Sequence, residues 1–261
     1  MRLKISDRGK QEIFAALFQL LKNWSGYVTL SFEVKRLYIQ AMDKSHVCLA
    51  SIVLSSSWFS EYECLSNTKI SVDSTNLCVL MNFSLKHDAI EFKFNDDSEN
   101  LYINFLNSKD NDKDKKSYDH FFELSLIDVE EDSLGIPEVD YDVEFTIETK
   151  RLVEVLGELN IFGSDLNVIC SENMVELSAN SESAKLKINI PVDDLNEYAI
   201  AENEQFNLSF SLNHICKMCT SVKLGSLVGI SLSNEYPMAI KYSLGSEQDT
   251  AIFYVAPKVT D

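Results

Sequence analysis

No run of eighteen or more apolar residues occurs anywhere in the 261-residue chain, which excludes a membrane-spanning helix. Nor do the first residues, Met1-Arg-Leu-Lys-Ile-Ser-Asp7, contain a signal-peptide-like apolar stretch, so the expectation is an intracellular protein with no membrane contact. A glycine-rich phosphate loop of Walker type is missing, as is the glycine-flanked serine of a nucleophile elbow. Ser, His and Asp are present, but no motif joins them, and the acids Glu130-Glu131-Asp132 read as solvated chain. The expectation is a binding protein rather than an enzyme, with no catalytic residues and no cofactor.

Paired metal-ligand motifs are also lacking. Six cysteines (Cys48, Cys64, Cys78, Cys170, Cys216 and Cys219) lie in hydrophobic segments, where buried reduced thiols are the simplest account. His214-x-Cys216-x-x-Cys219 is a single CxxC with no second pair at zinc-ribbon spacing, and Met218 lies inside it. The segment has helical periodicity, so no metal is expected.

Positive charge is scarce: 23 Lys and Arg stand against 41 Asp and Glu, a formal net charge of −18. A protein that holds nucleic acid by attraction should be basic, because phosphate neutralisation supplies most non-specific affinity. This composition excludes that class and leaves one way to hold a duplex, which is to enclose it. Enclosure needs only a few lysines on an inner face.

What the chain does have is a core and a repeat. It is 45% hydrophobic, with 15 Phe and 10 Tyr, and so is globular. Residues n and n + 138 share their apolar positions. Val28 and Leu30 fall on Leu166 and Val168; Leu37, Ile39 and Ala41 on Val175, Leu177 and Ala179. Leu77 and Leu80 fall on Ile215 and Met218; Ile90, Phe92 and Phe94 on Val228, Ile230 and Leu232. One offset held over this length predicts two similar domains, at 1–126 and 143–261, joined by a linker at 127–142.

Within each half, period-two segments such as Tyr27–Phe32, Leu37–Ala41, Ala89–Phe94, Leu101–Phe105, Lys185–Ile190 and Ala251–Val255 predict antiparallel strands. Gly9–Trp24 carries an apolar stripe (Ile13, Ala16, Leu17, Leu20, Leu21, Trp24) opposite Lys10, Gln11, Gln19 and Lys22. Thr149–Asn160 is its counterpart, and second helices are expected near Ser74–Phe83 and Leu212–Val222. The fold class is α+β. Asn107–Lys116 is a polar loop, and 127–142 is acidic, interrupted by Leu134-Gly-Ile-Pro137. That apolar break and the chain end from Thr250 to Asp261 read as two walls of a docking surface for another protein's peptide.

Two repeated α+β halves, an acidic linker holding Leu134-Gly-Ile-Pro137, and the segments Gln40-Ala-Met-Asp43, Ser45-His-Val47 and Tyr254-Val-Ala-Pro-Lys258 together resemble the eukaryotic and archaeal sliding clamps, the proliferating cell nuclear antigen family. The likeness covers the whole chain. It implies two topologically similar DNA-clamp domains, with outer antiparallel sheets and two helices each on the inner face. Three chains would form a homotrimeric ring around duplex DNA, bound topologically and without sequence preference. Such a ring keeps a polymerase on its template, is opened by a clamp loader, and recruits replication and DNA repair proteins in the nucleus, or at a cytoplasmic replication site if viral.

By the same resemblance, Met42, His46, Val47, Leu49, Leu134, Gly135, Ile136, Tyr141, Pro237, Tyr254, Ala256, Pro257 and Lys258 bind a partner peptide of the Gln-x-x-aliphatic-x-x-aromatic-aromatic type. Lys10, Lys22, Lys86, Lys150, Arg151, Lys217 and Lys223 are the candidates to reach phosphates. Asp119–Leu126 of one chain and Glu182–Asn189 of its neighbour would pair at the subunit contact. Asn82, Glu154 and Gly157 stand where family members usually carry Arg or Lys, and Glu172 stands where eukaryotic members carry a modifiable lysine. These departures imply a divergent clamp, whether a viral, protist or accessory copy. A hetero-oligomeric clamp-like subunit and a non-ring processivity factor are the alternatives; the latter needs a strongly basic face that this composition does not supply.

Overall fold

The structure is a computed structural model that describes residues 1–23, 25–107, 118–129, 134–137, 139–201, 205–219 and 221–258. Trp24, most of the polar loop, and Glu130, Glu131, Asp132 and Glu138 of the acidic linker lie outside the described residues.

The chain divides into two compact units. Unit 1 comprises Met1–Lys44, Ala50–Ser133 and Leu244–Thr250; unit 2 comprises Ser45–Leu49, Leu134–Ser243 and Ala251–Asp261. The division is not purely sequential, and the hydrogen bonds say why. Leu244–Thr250 joins unit 1 because the Trp58 indole donates to the Leu244 carbonyl at 2.8 Å and the Ser55 N–H donates to Asp249 Oδ1 at 2.6 Å. Ser45–Leu49 joins unit 2, where the Ala256 N–H donates to the Val47 carbonyl at 3.0 Å.

Among the described residues the first half runs β1 (Arg2–Ile5), α1 (Arg8–Leu21), β2 (Tyr27–Phe32), β3 (Arg36–Met42), β4 (Cys48–Ser55), β5 (Glu61–Glu63), β6 (Thr68–Asp73), α2 (Ser74–Ser84), β7 (Ala89–Lys93), β8 (Asn100–Leu106) and β9 (His120–Ile127). The second runs β10 (Val143–Glu148), α3 (Thr149–Phe162), β11 (Asp165–Ser171), β12 (Met174–Asn180), β13 (Lys185–Pro191), β14 (Glu197–Ile200), β15 (Phe206–Ser211), α4 (Leu212–Met218), β16 (Leu227–Leu232), β17 (Met238–Ser246) and β18 (Asp249–Val255). The fold is α+β with antiparallel pairing throughout the described registers.

Strand order repeats. The first half has β4-β3-β2-β6 and β9-β8-β7-β1-β5; the second has β13-β12-β11-β15 and β18-β17-β16-β10-β14. Elements β2 to β8 map onto β11 to β17 at the offset of 138, Tyr27 to Asp165 and Asn100 to Met238 being two residues at most from it. Outside that stretch the offset changes, so the register has gaps that the apolar pattern did not reveal. It is 141 from Arg8 of α1 to Thr149 of α3, and 129 from His120 of β9 to Asp249 of β18. The second slip arises because the polar segment after β8 is replaced in the second half by the short turn Glu247-Gln248. Gly245 precedes that turn at φ 112°, a conformation L side chains rarely adopt.

The helices cover the sheets. Asp7 caps α1 by accepting from the Lys10 N–H at 2.8 Å, and Asp73 caps α2 by accepting from the Asn76 N–H at 2.7 Å. α1 packs beside α2, and α2 on β2 and β6; α3 packs beside α4, and α4 on β11 and β15. Two expectations need correction. Gln11 is not on a solvated face: it is buried, and its Nε2 donates to the carbonyls of Asp88 (2.8 Å) and Ile5 (3.3 Å). Helix α4 stops at Met218 rather than near Val222; Cys219 leaves helical dihedrals (φ −96°, ψ 8°) with its side chain buried. The residues that follow are poor helix formers, so little opposes that stop.

The core of unit 1 is aromatic. Phe14 meets Phe18 edge-on at 4.9 Å between centroids, Phe92 at 5.7 Å and Trp58 at 6.1 Å. Unit 2 centres on Phe210, Tyr242, Phe253 and the aliphatics Leu156, Leu159 and Ile240, all buried.

Candidate docking surface and helical faces

Twelve of the thirteen residues expected to bind a peptide fall in unit 2, Met42 at the end of β3 being the exception. The turn after β3 is shaped by His46, which is exposed and takes φ 57°, the one left-handed non-glycine among the described residues. That turn sets Val47 beside the chain end, where it accepts the Ala256 N–H. The chain continues past β18 in fixed form: the Lys258 N–H donates to the Ser209 carbonyl at 2.8 Å, and its ammonium is paired with Asp165.

Alternation along β18 buries Ala251, Phe253 and Val255 and leaves Ile252 and Tyr254 half-exposed on the other side. Leu134 is 49% exposed, Ile136 and Tyr141 are half-buried, and Pro237 is exposed. Burial, with Glu144 nearby, raises the Tyr141 phenol above its ordinary pKa, so it stays neutral at physiological pH. The set therefore offers aliphatic and aromatic side chains with partial exposure and no nucleophile. Two hollows lie elsewhere, one of about 970 Å³ among Lys69–Ser71, Ser98–Asn100 and Ser125–Val129, the other of about 410 Å³ over Gly229.

The seven candidate phosphate contacts do not stand alike. Lys22 follows α1, Lys86 follows α2, Lys150 opens α3, and Lys223 follows α4; all are exposed. Lys217, also exposed, lies in the last turn of α4. Lys10 is half-buried, its ammonium donating to the Trp58 carbonyl at 2.6 Å and lying 5.4 Å from the Trp58 ring centre. Arg151 is paired with Asp194 at 3.2 Å. Both are partly committed within the chain. Arg8, exposed on α1, is paired with Glu12 at 3.5 Å. Glu154, Gly157 and Glu158 are exposed on α3, and α2 exposes Val79 and Phe83.

The CxxC segment turns its groups in three directions. His214 Nδ1 lies 2.8 Å from Ser211 Oγ, Cys216 Sγ is 3.8 Å from the Leu156 carbonyl, and burial pushes the Cys219 thiol up to about 12. No cluster of three or more His, Cys, Asp or Glu suited to a metal occurs among the described residues.

Of the two expected edge segments, β13 pairs only with β12 among the described registers. β9 pairs with β8 from His120 to Ser125, and only Leu126 and Ile127 reach β6. The correction is at that end: Leu126, counted in the free edge, is already paired with Val72.

Family comparison settles the kinship. The model of the proliferating cell nuclear antigen N-terminal domain matches residues 8–133, and that of its C-terminal domain matches 135–258. The chain belongs to the proliferating cell nuclear antigen family. A relative called proliferating cell nuclear antigen, from Chaetomium thermophilum, is 30% identical over 228 residues, covering 85% of each chain. Another called proliferating cell nuclear antigen 2, from Drosophila melanogaster, is 24% identical over 233 residues, covering 89% of each. Membership of this family makes the chain a sliding clamp, a DNA-binding processivity factor of replication and repair, in a family of non-enzymatic clamps. Within this clamp no described helix is long and apolar enough to cross a membrane.

Proposed function

We propose that three copies of this chain close into a ring around duplex DNA in the nucleus, and that the ring recruits polymerase, clamp loader and repair proteins through the surface built on Val47, Ile136, Tyr254 and Ala256. The observation that carries the reading is that β13 stands at one end of its four-stranded sheet, paired only with β12 among the described registers, while β9 is paired with β8 from His120 to Ser125 and meets β6 only at Leu126 and Ile127. An unpaired edge is a liability unless something covers it, and a heterologous contact between two different edges closes into a ring when the rotation permits. β9 brings Glu123 to that contact, with Asp119 just ahead of the strand, and β13 brings Lys185 and Lys187, the latter also paired with Glu176 of β12. The domain limits 1–126 and 143–261, with the connector between, follow from the same repeat.

The docking surface recognises an apolar peptide carrying aromatic anchors, of the Gln-x-x-aliphatic-x-x-aromatic-aromatic kind. Its half-exposed Ile136 and Tyr254 gain by leaving water, and such anchors carry most of an interface's energy. The ring needs few phosphate contacts, made by Lys22, Lys86, Lys150, Lys217 and Lys223 and secondarily by Lys10 and Arg151, since enclosure holds the duplex.

The test is retention after loading. Linear DNA with both ends blocked should keep the protein for far longer than DNA with open ends. Equal release from the two would end the ring reading, and a solution mass near one chain of 29.6 kDa would point to a non-ring factor.

A further inference from the structure

We propose that the hollow of about 970 Å³ in unit 1 is a second docking site, which takes an extended segment of another protein with basic and aliphatic side chains in alternation. The kind of occupant rests on the docking surface proposed above, because the internal repeat lays one site on the other. The offset of 138 carries Lys69, Ile70 and Ser71 of the hollow to Asn207, Leu208 and Ser209, and Glu99 to Pro237. The offset of 129, which relates β9 to β18, carries Ser125, Ile127 and Asp128 to Tyr254, Ala256 and Pro257. Pro237, Tyr254, Ala256 and Pro257 all belong to the expected peptide-binding set, and their counterparts line one cavity of the other unit.

The backbone frame is shared. β6 lies opposite β9 only at Ser71 and Val72, and from Thr68 to Ile70 it has no strand on that side among the described registers. At the counterpart of Ser71 in unit 2, the Ser209 carbonyl accepts the Lys258 N–H at 2.8 Å. The far wall is fixed where the Leu126 N–H donates to the Glu99 carbonyl at 2.9 Å. The sheet therefore splits beyond Ser71, and the hollow occupies the split. A separated strand edge pairs readily with an added strand, which is how an extended peptide gains main-chain hydrogen bonds.

The side chains differ between the two sites, and so does the ligand. Where unit 2 has Tyr254, Pro237 and Pro257, the hollow has Ser125, Glu99 and Asp128. An aromatic anchor has no ring to stack on there. Glu99 and Asp128 are exposed, as are Asp96 and Asp97 in the turn ahead, against the one cation of the lining, Lys69. Ile127, 38% exposed, and the half-buried Val129 supply apolar surface. Side chains alternate across an extended segment, so one row lies on Ile127 and Val129 while the other reaches the carboxylates. That charge selects lysine or arginine and repels an acidic segment.

The probe is a short capped peptide alternating lysine and valine, added to the full chain at constant ionic strength. A lysine–proline peptide of the same charge is the control, since proline has no N–H to pair with a strand edge. Isoleucine methyl spectra locate the peptide: Ile70 and Ile127 should shift and Ile136 should not. Glu99→Lys combined with Asp128→Lys, both exposed positions, should weaken the lysine–valine peptide by about tenfold or more and leave an aromatic docking peptide unaffected. Tyr254→Ala should do the reverse. Equal binding of the two lysine peptides, shifts scattered over the acidic surface, or an unchanged affinity in the double variant overturns the second site. A response of Ile70 and Ile127 that appears only when the protein is dissociated to single chains gives the hollow to the next copy of the ring, and also overturns it. An aromatic peptide that fails to bind the wild type defeats the first docking surface alone, and the Ile70 and Ile127 shifts still decide the second.

Discussion

At the scale of single residues, the most informative group is one the sequence hid. Glu91 lies in β7, within an alternation that predicts a strand but gives no reason for a carboxylate on its covered side. It is 3% exposed. Arg2 Nε reaches it at 2.7 Å, Lys93 Nζ at 2.8 Å and Asn104 Nδ2 at 2.9 Å. Burial by itself would raise this carboxyl; the hydrogen bonds from Lys93, Asn104 and Arg2 outweigh it and hold the pKa at about 2. The folded value lies below the unfolded one, so the stabilisation is complete above the ordinary glutamate pKa of about 4.3 and disappears as pH falls through about 2. Glu91→Gln should cost about 2–4 kcal/mol at neutral pH, and denaturant titrations of the two proteins should converge on acidification. A gap that stays constant down to the lowest pH would show that the ion cluster is not its source. Docking is decided at this scale as well. Ile136→Ala or Tyr254→Ala should weaken an aromatic docking peptide by about 1–3 kcal/mol in calorimetry, and unchanged binding by both would remove the pocket.

Elements were the most legible level, because a strand or helix is written in one stretch of chain. The 138-residue offset and the period-two segments located β2, β3, β7, β8, β13 and β18 and assigned the α+β class. They also placed α1, α2 and α3 to within a few residues. What was not legible depends on partners distant in sequence. Gln11 looks like surface on a helical wheel, yet the Ile5 and Asp88 carbonyls, brought in by other segments, make it core. The early end of α4 and the transfer of Leu244–Thr250 to unit 1 are likewise tertiary effects. Two glycines of α3 make the same point in energetic terms. Gly157 is mid-helix and exposed, and a Cβ there meets nothing within 4 Å. Gly157→Ala should stabilise by about 0.5–1 kcal/mol, because alanine gives up less backbone entropy. Gly163, just past the helix, has extended backbone, yet a Cβ there would stand 2.5 Å from the Asn180 carbonyl oxygen. Gly163→Ala should destabilise by about 1–3 kcal/mol, since backbone must shift to admit it. Thermal melts of the two variants should therefore move in opposite directions; a shift of like sign would contradict the packing at α3's end.

At the scale of the whole molecule, charge separates attraction from enclosure. Each chain carries −18, which repels a polyanion at long range, so equilibrium binding to a short open duplex should be feeble. Its dependence on salt reports the number of phosphates neutralised, with a slope of about 0.9 per neutralised phosphate in log K against log salt. Lys10 and Arg151 are already held by the Trp58 carbonyl and by Asp194, so their removal should leave that slope nearly unchanged. Lys22 and Lys150 are exposed, and their ammonium groups make no hydrogen bond or ion pair among the described residues. Lys22→Ala and Lys150→Ala should each lower the slope by about 0.9. Retention on end-blocked DNA after loading should respond differently, because releasing an enclosed duplex requires an interface to open rather than an ammonium to leave its phosphate. A salt rise that strips the protein from open duplex should leave most of the loaded protein on blocked DNA. If Lys22→Ala shortened residence on blocked DNA as much as it weakened binding to open duplex, attraction rather than enclosure would be holding the clamp.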